Sequence, residues 1–241
     1  MTVYHYFNEQ HGLDALQNVR LKAGRLFDLN DPADCRPRLK NGPQGNKVNP
    51  ANYFKFFYQE VGVLCFCEGI EDPVVWTHYA DSHKGLAIGF EITAGLFQVL
   101  YGNKPPAVDY VEADALRKDG KVTNEFIRKV IPEGFRQKAE SWSYEREQRI
   151  FVDLGRLTMI GPHYFASINT PHMRIIRVVL GCRSKLTPSD ISRASKKFRR
   201  NVEDRSWIFR ARMKAKSFNL EIFNSSTKTV LDSSYIQNLS G

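Results

Sequence analysis

The alternation of apolar and polar positions predicts a central unit of strand, helix and strand within residues 61–92. An apolar run over residues 62–67 has the length of a strand and is too short for a helix. Pro73 follows a pair of acidic residues and suits the first turn of a helix. Trp76 and Tyr79 lie one turn apart on this helix, so their rings are predicted to share a face. That face belongs either to the core or to a flat slot for an aromatic ligand.

The elements before this unit follow from the same pattern. A strand over residues 3–7 precedes a helix that is predicted to end at Gly24, and residues 25–29 are predicted to form the next strand. Asn, Asp and Pro fill residues 30–35, which is typical of a turn. Residues 36–48 are rich in Gly, Pro, Asn and Lys and predict a mobile loop, which could act as a lid over a cleft.

Beyond the loop, helices are predicted from Pro50 and over residues 123–142, the second one broken or bent at Pro132-Glu133-Gly134. Residues 143–152 are predicted to form a strand. Alternation along that strand places three charged side chains on one side: Glu145, Glu147 and Arg149. Either these two carboxylates and the guanidinium form one functional site, or the acids lie at the surface and pair with neighbouring arginines.

The C-terminal third is predicted to contain a strand over residues 174–181, a helix capped by Thr187 and a closing hairpin over residues 207–223. Within the hairpin, alternation puts one set of residues on an apolar face: Trp207, Phe209, Ala211, Met213 and Ala215. It puts a second set on the basic face: Arg210, Arg212, Lys214 and Lys216.

Length and composition bound the fold class. With 241 residues and 42% hydrophobic residues, the chain can bury a sizeable core. We predict one α+β domain over residues 1–241, with mixed, mostly antiparallel sheets, flanking helices and a basic helix-hairpin segment at 183–223. Neither a membrane span nor a signal peptide is predicted, so the expected location is the cytoplasm. His78 and His83 do not share a helix face, so no metal site is expected.

The net charge of +9 is concentrated in one segment. Residues 183–216 hold 12 basic and 3 acidic residues, which leaves the rest of the chain neutral. Such a patch suits a polyanion, which is a nucleic acid, the phosphates of a nucleotide or an acidic surface of a partner, although a solvated helix face has the same composition. The nucleic-acid contacts are predicted at Lys196, Lys197, Arg199, Arg200, Arg210, Arg212 and Lys214.

Three motifs resemble the signatures of a widespread bacterial family of uncharacterised proteins. They are Asn30-Asp31-Pro32-Ala33-Asp34-Cys35, Trp76-Thr77-His78-Tyr79-Ala80 and Trp142-Ser143-Tyr144-Glu145-Arg146-Glu147-Gln148-Arg149. Weaker similarity extends through residues 179–182, so the resemblance spans nearly the whole chain.

More distantly, the order of elements resembles the ADP-ribosyltransferase fold. That resemblance implies NAD as substrate, Glu147 as the catalytic acid and Glu145 as the partner in a Glu-x-Glu pair, with the primary acid of the two left open. It also implies that His5 holds a ribose and that Tyr79 stacks on nicotinamide. The full set of implied NAD contacts is His5, Phe66, Cys67, Trp76, Tyr79 and Arg149. Cys65 and Cys67 depart from the serine or threonine that is usual in arginine-modifying members.

These observations leave three hypotheses. The first is an NAD-dependent ADP-ribosyltransferase or NAD glycohydrolase, as a toxin or defence enzyme with a DNA, RNA or protein acceptor. It expects Tyr79, Phe66 and Glu147 to line one cleft. The second is a nucleic-acid-binding protein that uses the basic segment without catalysis. The third is a non-enzymatic partner-binding protein of a phage-defence system.

Overall fold

The computed structural model describes residues 1–41, 50–115, 123–199, 201, 203–224 and 226–231. The chain forms two compact units, each built from segments that are distant in sequence. The first unit comprises Met1–Leu21, Phe66–Ala94 and Ser167–Gly241, and the second comprises Lys22–Cys65 and Gly95–Ala166. Helices accompany mostly antiparallel strands, which confirms the predicted mixture of α and β structure. No helix within the described ranges has the length and apolar character needed to span a membrane.

The regular elements alternate along the whole chain. The α-helices are α1 (Glu9–Asn18), α2 (Pro50–Glu60), α3 (Pro73–Tyr79), α4 (Tyr110–Ala115), α5 (Asn124–Phe135) and α6 (Pro188–Ala194). The first eight strands are β1 (Thr2–Phe7), β2 (Arg20–Arg25), β3 (Arg38–Lys40), β4 (Val61–Cys67), β5 (Leu86–Ile92), β6 (Phe97–Gln98), β7 (Leu100–Gly102) and β8 (Ala107–Asp109). The remaining strands are β9 (Gln137–Ala139), β10 (Glu147–Asp153), β11 (Thr158–Ile160), β12 (His163–Ser167), β13 (Met173–Leu180), β14 (Ile208–Met213), β15 (Leu220–Phe223) and β16 (Val230–Leu231).

In the first unit, β1 pairs antiparallel with β5 along its whole length, from Thr2 opposite Glu91 to Phe7 opposite Leu86. Its other edge meets the end of β4, where Tyr4 lies opposite Cys67. The sheet continues from β5 to β13 in antiparallel order, from β13 to β14 in parallel order, and then through the antiparallel strands β15 and β16. The predicted strand, helix and strand of residues 61–92 are confirmed as β4, α3 and β5.

Side chains cap the helices of this unit where the sequence predicted a start. The side chain of Asn8 accepts a hydrogen bond from the backbone N–H of His11, and Thr187 and Asp190 form a reciprocal capping box at α6. The predicted end of the first helix at Gly24 is wrong. The helix ends at Asn18 because Val19 takes the left-handed conformation with φ 53°, and the chain then enters β2.

In the second unit, α2 and α5 bury aromatic side chains against each other. The rings of Phe57 and Phe126 stack with centroids 4.6 Å apart, and Phe54 meets Phe135 edge-on. Helix α5 continues through Pro132 to Phe135, so the predicted extension to residue 142 is wrong. The chain instead forms β9 and then a 3₁₀ helix at Glu140–Glu145.

The predicted strand over residues 143–152 begins only at Glu147, in β10. Arg146 adopts a left-handed conformation with φ 44°, which separates the 3₁₀ helix from the strand. The predicted strand over residues 25–29 is also wrong, because the chain turns after β2. In the predicted lid over residues 36–48, residues 38–40 form β3 and pair with β8, whereas residues 42–49 lie outside the described ranges.

The predicted C-terminal hairpin is confirmed as β14 and β15, with Met213 opposite Leu220. Its strands are shorter than predicted, so Lys214 and Lys216 lie in the turn and not on a strand face. Met213 and Ala215, which were assigned to an apolar face, are exposed. Arg200, a predicted nucleic-acid contact, lies outside the described residues.

Candidate functional site

The guanidinium of Arg149 is at the centre of a buried ion network in the second unit. Arg149 projects from β10 and is 0% exposed. Its Nε and Nη2 donate to the two carboxylate oxygens of Glu147 at 2.8 and 3.0 Å, and its Nη1 and Nη2 donate to the two oxygens of Asp34. Nη1 also donates to the carbonyl oxygen of Phe135 at 2.7 Å. All five N–H groups are therefore used, as burial of a guanidinium requires.

A second cation, the ammonium of Lys138, joins the two glutamates of the Tyr-Glu-Arg-Glu segment. Its Nζ lies 2.5 Å from Glu145 Oε2 and 3.2 Å from Glu147 Oε2. It also lies 4.7 Å from the centroid of the Trp142 ring, within the range of a cation–π contact. The side chains of Lys138, Glu145 and Glu147 are 7%, 2% and 4% exposed, so water screens their charges poorly.

Local backbone geometry explains how residues from three segments reach this network. Helix α5 ends at Phe135 and presents its last carbonyl to Arg149, and Lys138 follows in β9. The left-handed turn at Arg146 lets Glu145 and Glu147 approach the same ammonium from two different elements. The Asn-Asp-Pro turn supplies Asp34, with the next residue held at φ 54°.

The charges within the network set its protonation states. Burial by itself would raise the pKa of Glu147, but Arg149 and Lys138 outweigh burial and lower that pKa to about 2. Burial likewise opposes ionisation of Lys138, but Glu147 and Glu145 raise the pKa of the ammonium above its usual range. Glu147 is therefore a carboxylate and Lys138 an ammonium at neutral pH.

Neutral groups complete the surroundings of Glu147. Its backbone N–H donates to the hydroxyl oxygen of Tyr101 at 2.7 Å, and the Cys65 thiol forms a hydrogen bond with its carboxylate. Burial raises the pKa of the Cys65 thiol, which keeps it protonated and able to donate. Glu147 is thus held in one orientation by charged and neutral donors together.

A cavity of about 360 Å³ adjoins this network. Asp34 and Cys35 belong to its wall, and Asp34 is also bound by Arg149. The full lining consists of Phe27, Asp31, Pro32, Asp34, Cys35, Arg36, Pro37, Phe54 and Tyr58. The volume lies within the range of small-molecule sites in proteins.

The other predicted NAD contacts belong to the first unit. Trp76 is 0% exposed, donates its indole N–H to the carbonyl of Ile70 at 2.7 Å and packs edge-on against Tyr6. Phe66 is also buried, against the rings of Phe90 and His5. Both rings therefore belong to the core of this unit.

Of the remaining three predicted contacts, two are less buried than Trp76 and Phe66. His5 and Tyr79 are half-buried, and Cys67 is buried at 8% exposure. Tyr79 and Glu147 belong to different units, so the expectation that they line one cleft stays a prediction.

Three arginines among the predicted nucleic-acid contacts have partners within the chain, although Arg212 is also exposed. Arg210 donates to three backbone carbonyls, and Arg212 pairs with Glu221 and lies over the Phe223 ring. Arg199 lies over the Trp207 ring at 4.7 Å. By contrast, an exposed group of lysines remains: Lys196, Lys197 and Lys214.

Sequence reasoning did not assign roles to Asp34 and Lys138, although both bind the predicted acids or their arginine. Asp34 stands in the Asn-Asp-Pro motif, which is the sequence signal that points to it, but its partnership with Arg149 depends on the packing of distant segments. Nothing in the spacing of Lys138 indicates that its ammonium lies between two glutamates.

The model of one protein family, described as Protein of unknown function (DUF2971), matches residues 75–150. This range includes α3 from Val75 onward and the residues from Lys138 to Arg149. No curated protein and no solved structure shows significant similarity to the chain. The predicted resemblance to a family of uncharacterised proteins is confirmed over the matched range.

Proposed function

We propose that the chain cleaves the bond between nicotinamide and ribose in NAD, as an ADP-ribosyltransferase or NAD glycohydrolase, through Glu147 and Glu145. The observation that supports this proposal is the convergence of both carboxylates on one cation, the ammonium of Lys138. A pair of carboxylates that holds a buried cation is electrostatically suited to a reaction in which positive charge develops.

In the proposed reaction, the bond between ribose C1′ and the nicotinamide nitrogen breaks, and nicotinamide leaves with the bonding electrons. The ribose carries the resulting positive charge, which the Glu147 carboxylate stabilises. Water or an acceptor nucleophile then forms the new bond to C1′ and gives its proton to Glu145. Proton transfer to a positioned carboxylate commonly contributes ~10²–10⁴-fold in rate. The low pKa of Glu147, about 2, supplies the ionised form that charge stabilisation needs.

Access to the carboxylates requires Lys138 to move. In this structure its ammonium occupies the position between the acids, and the side chains of both acids are at most 4% exposed. NAD therefore does not fit against them without a rearrangement of β9. The developing ribose cation would take over the electrostatic role of the displaced ammonium.

The proposal is tested by incubating the protein with NAD and measuring free nicotinamide by chromatography, with and without agmatine as an arginine-like acceptor. Wild-type protein is expected to release nicotinamide, and Glu147→Gln is expected to abolish release. Glu145→Gln is expected to reduce transfer to agmatine more than hydrolysis, because the second acid serves the acceptor. No release by folded wild-type protein under either condition would contradict the proposal.

A second candidate function, nucleic-acid binding, is favoured by one specific surface. The turn between β14 and β15 presents Phe218 at 91% exposure, with Lys214 and Lys216 exposed beside it in the chain. An exposed aromatic ring among lysines suits a single strand, because a base can stack on the ring while phosphates meet the ammonium groups.

Binding of a labelled single-stranded oligonucleotide, followed by fluorescence anisotropy at several salt concentrations, tests this candidate. Lys214→Gln is expected to weaken binding and reduce the salt slope by about 0.7, the value for one lost phosphate contact. Phe218→Ser is expected to weaken binding about tenfold without changing the slope, because stacking carries no counterion release. Lys104→Gln, at an exposed position of the second unit, is the matched control. Equal effects of Lys214→Gln and Lys104→Gln would rule out the turn as the binding surface.

A further inference from the structure

We propose that the cavity beside the ion network binds a nucleoside phosphate, with the base against Phe27 and Tyr58 and the phosphate at Arg36. The residues of this cavity are those that line the 360 Å³ space described above, and we call it the Phe27–Tyr58 pocket. The proposal goes beyond NAD cleavage, because it assigns a binding site that requires neither Glu145 nor Glu147.

Phe27 and Tyr58 form the aromatic wall of the pocket. Phe27 is accessible from solvent, whereas Tyr58 is held by its neighbours. Phe27 lines the pocket and is 53% exposed, so much of its ring is accessible from solvent. Its ring centroid lies 6.0 Å from that of Tyr58, with the planes inclined at 69°. A planar base that enters the pocket would cover Phe27 on one face and meet the Tyr58 ring, and both contacts remove apolar surface from water.

Tyr58 is fixed in place before any ligand arrives. Its hydroxyl donates to the carbonyl oxygen of Cys35 at 3.1 Å, and its ring meets Phe135 edge-on at 6.1 Å. Burial raises the pKa of Tyr58 to about 12, so the phenol is neutral and does not repel an anion. A ring that is already ordered loses little conformational entropy when a base binds to it.

The polar groups of the pocket match the remaining parts of a nucleotide. The exposed guanidinium of Arg36 has no carboxylate partner within the described part of the chain, so it is available to a phosphate. Asp31 also lines the pocket, with its Oδ1 accepting the backbone N–H of Ala33, and a carboxylate suits a ribose hydroxyl or a base amino group. Asp34 does not oppose a phosphate strongly, because Arg149 binds both of its oxygens.

The combination of these groups favours a nucleoside phosphate over simpler ligands. An apolar molecule would form no ion pair with Arg36, and inorganic phosphate would make no contact with the rings of Phe27 and Tyr58. A ligand that carries an aromatic base and a phosphate at opposite ends uses both parts of the lining.

Isothermal titration calorimetry of the wild-type chain with four nucleoside monophosphates, the four parent nucleosides and inorganic phosphate tests the proposal. At least one monophosphate is expected to bind at least about tenfold more tightly than its nucleoside, and phosphate alone is expected to give no measurable heat. Failure of all four monophosphates to bind would overturn the proposal.

Variants then locate the site. Arg36→Gln is expected to reduce the affinity of the preferred monophosphate to that of its nucleoside, whereas Phe27→Ser is expected to weaken both by the same factor. Both residues are exposed, so neither change should prevent folding. Arg38→Gln is the matched control, because Arg38 is exposed two residues further along the chain and outside the pocket lining. Equal losses for Arg36→Gln and Arg38→Gln would place the ligand elsewhere and overturn the assignment.

The outcome does not depend on NAD cleavage. Monophosphate binding is an equilibrium measurement on the wild-type chain, while cleavage is read from nicotinamide release. Either result can fail while the other holds.

Discussion

Arg149 donates two hydrogen bonds to Asp34, a residue 115 positions earlier in the chain. This contact fixes the Asn-Asp-Pro turn onto β10, where the same guanidinium also binds Glu147. Two motifs that are far apart in sequence are thereby joined by one buried cation. The pocket wall, through Asp34, and Glu147 share this cation as their common support.

Arg149→Lys is expected to lower the free energy of unfolding by about 3–5 kcal/mol, the range for breaking a buried ion pair. Lysine keeps the charge but cannot reproduce the two bidentate pairs or reach the Phe135 carbonyl at the same time. Urea denaturation followed by circular dichroism measures the change.

The matched control for that measurement is Arg174→Lys. Arg174 pairs with Glu91 at the surface, where its side chain is 68% exposed, so the expected cost is below about 1 kcal/mol. If the two substitutions lower the free energy of unfolding by the same amount, the buried network does not stabilise the second unit more than a surface ion pair does.

Acid is expected to destabilise the chain in the window between pH 4.5 and pH 2. The pKa of Glu147 falls from an ordinary 4.5 to about 2 in the folded chain, because Arg149 and Lys138 outweigh the opposing effect of burial. A carboxylate whose pKa is lower in the folded chain stabilises the fold. This stabilisation is fully present above the unfolded pKa of 4.5 and is lost as the pH falls through the folded pKa of about 2. The contribution is about 3 kcal/mol.

Urea denaturation at a series of acidic pH values measures this loss. Glu147→Gln is expected to be less stable at neutral pH and to show a flatter dependence on pH in the same window, because it lacks the titrating group. An unchanged slope in Glu147→Gln would assign the acid sensitivity to other carboxylates.

Much of the fold was predictable from the sequence because local signals agree with tertiary packing. The apolar runs of β4 and β5, the proline at the start of α3 and the capping box at Thr187 all specify elements without reference to the rest of the chain. The errors occur where backbone conformation is unusual. Val19 and Arg146 both adopt left-handed conformations that neither residue type indicates, and each displaces a predicted boundary.

The candidate site was predictable only in part, because its contacts are long-range. Strand alternation grouped Glu145, Glu147 and Arg149, although Glu145 reaches the group from a 3₁₀ helix and not from the strand. The partnership of Arg149 with Asp34 depends on the packing of two distant segments, which periodicity does not reveal. The core position of Trp76 likewise follows from its bond to Ile70, whereas its spacing fitted a ligand slot equally well.

Cys35 is expected to resist alkylation in the folded chain. It is 2% exposed, its sulfur accepts a hydrogen bond from Arg149, and burial raises the pKa of its thiol well above the usual range. Iodoacetamide labelling followed by peptide mass spectrometry should show Cys35 unmodified in buffer and modified in urea. The half-buried Cys182 serves as the internal control and should react first. Equal labelling rates for the two thiols in buffer would show that the ion network opens readily and exposes Cys35.

The most direct test of the account compares two carboxylate-to-amide changes on the same guanidinium. Glu147→Gln and Asp34→Asn each remove one charged partner of Arg149, so both should destabilise the second unit. Nicotinamide release from NAD is measured for both at a temperature where circular dichroism shows each variant to be folded. Asp34→Asn is expected to retain measurable release, whereas Glu147→Gln is expected to show none above the uncatalysed rate. Equal release by the two variants would contradict a catalytic role for Glu147 and leave the network a purely structural one.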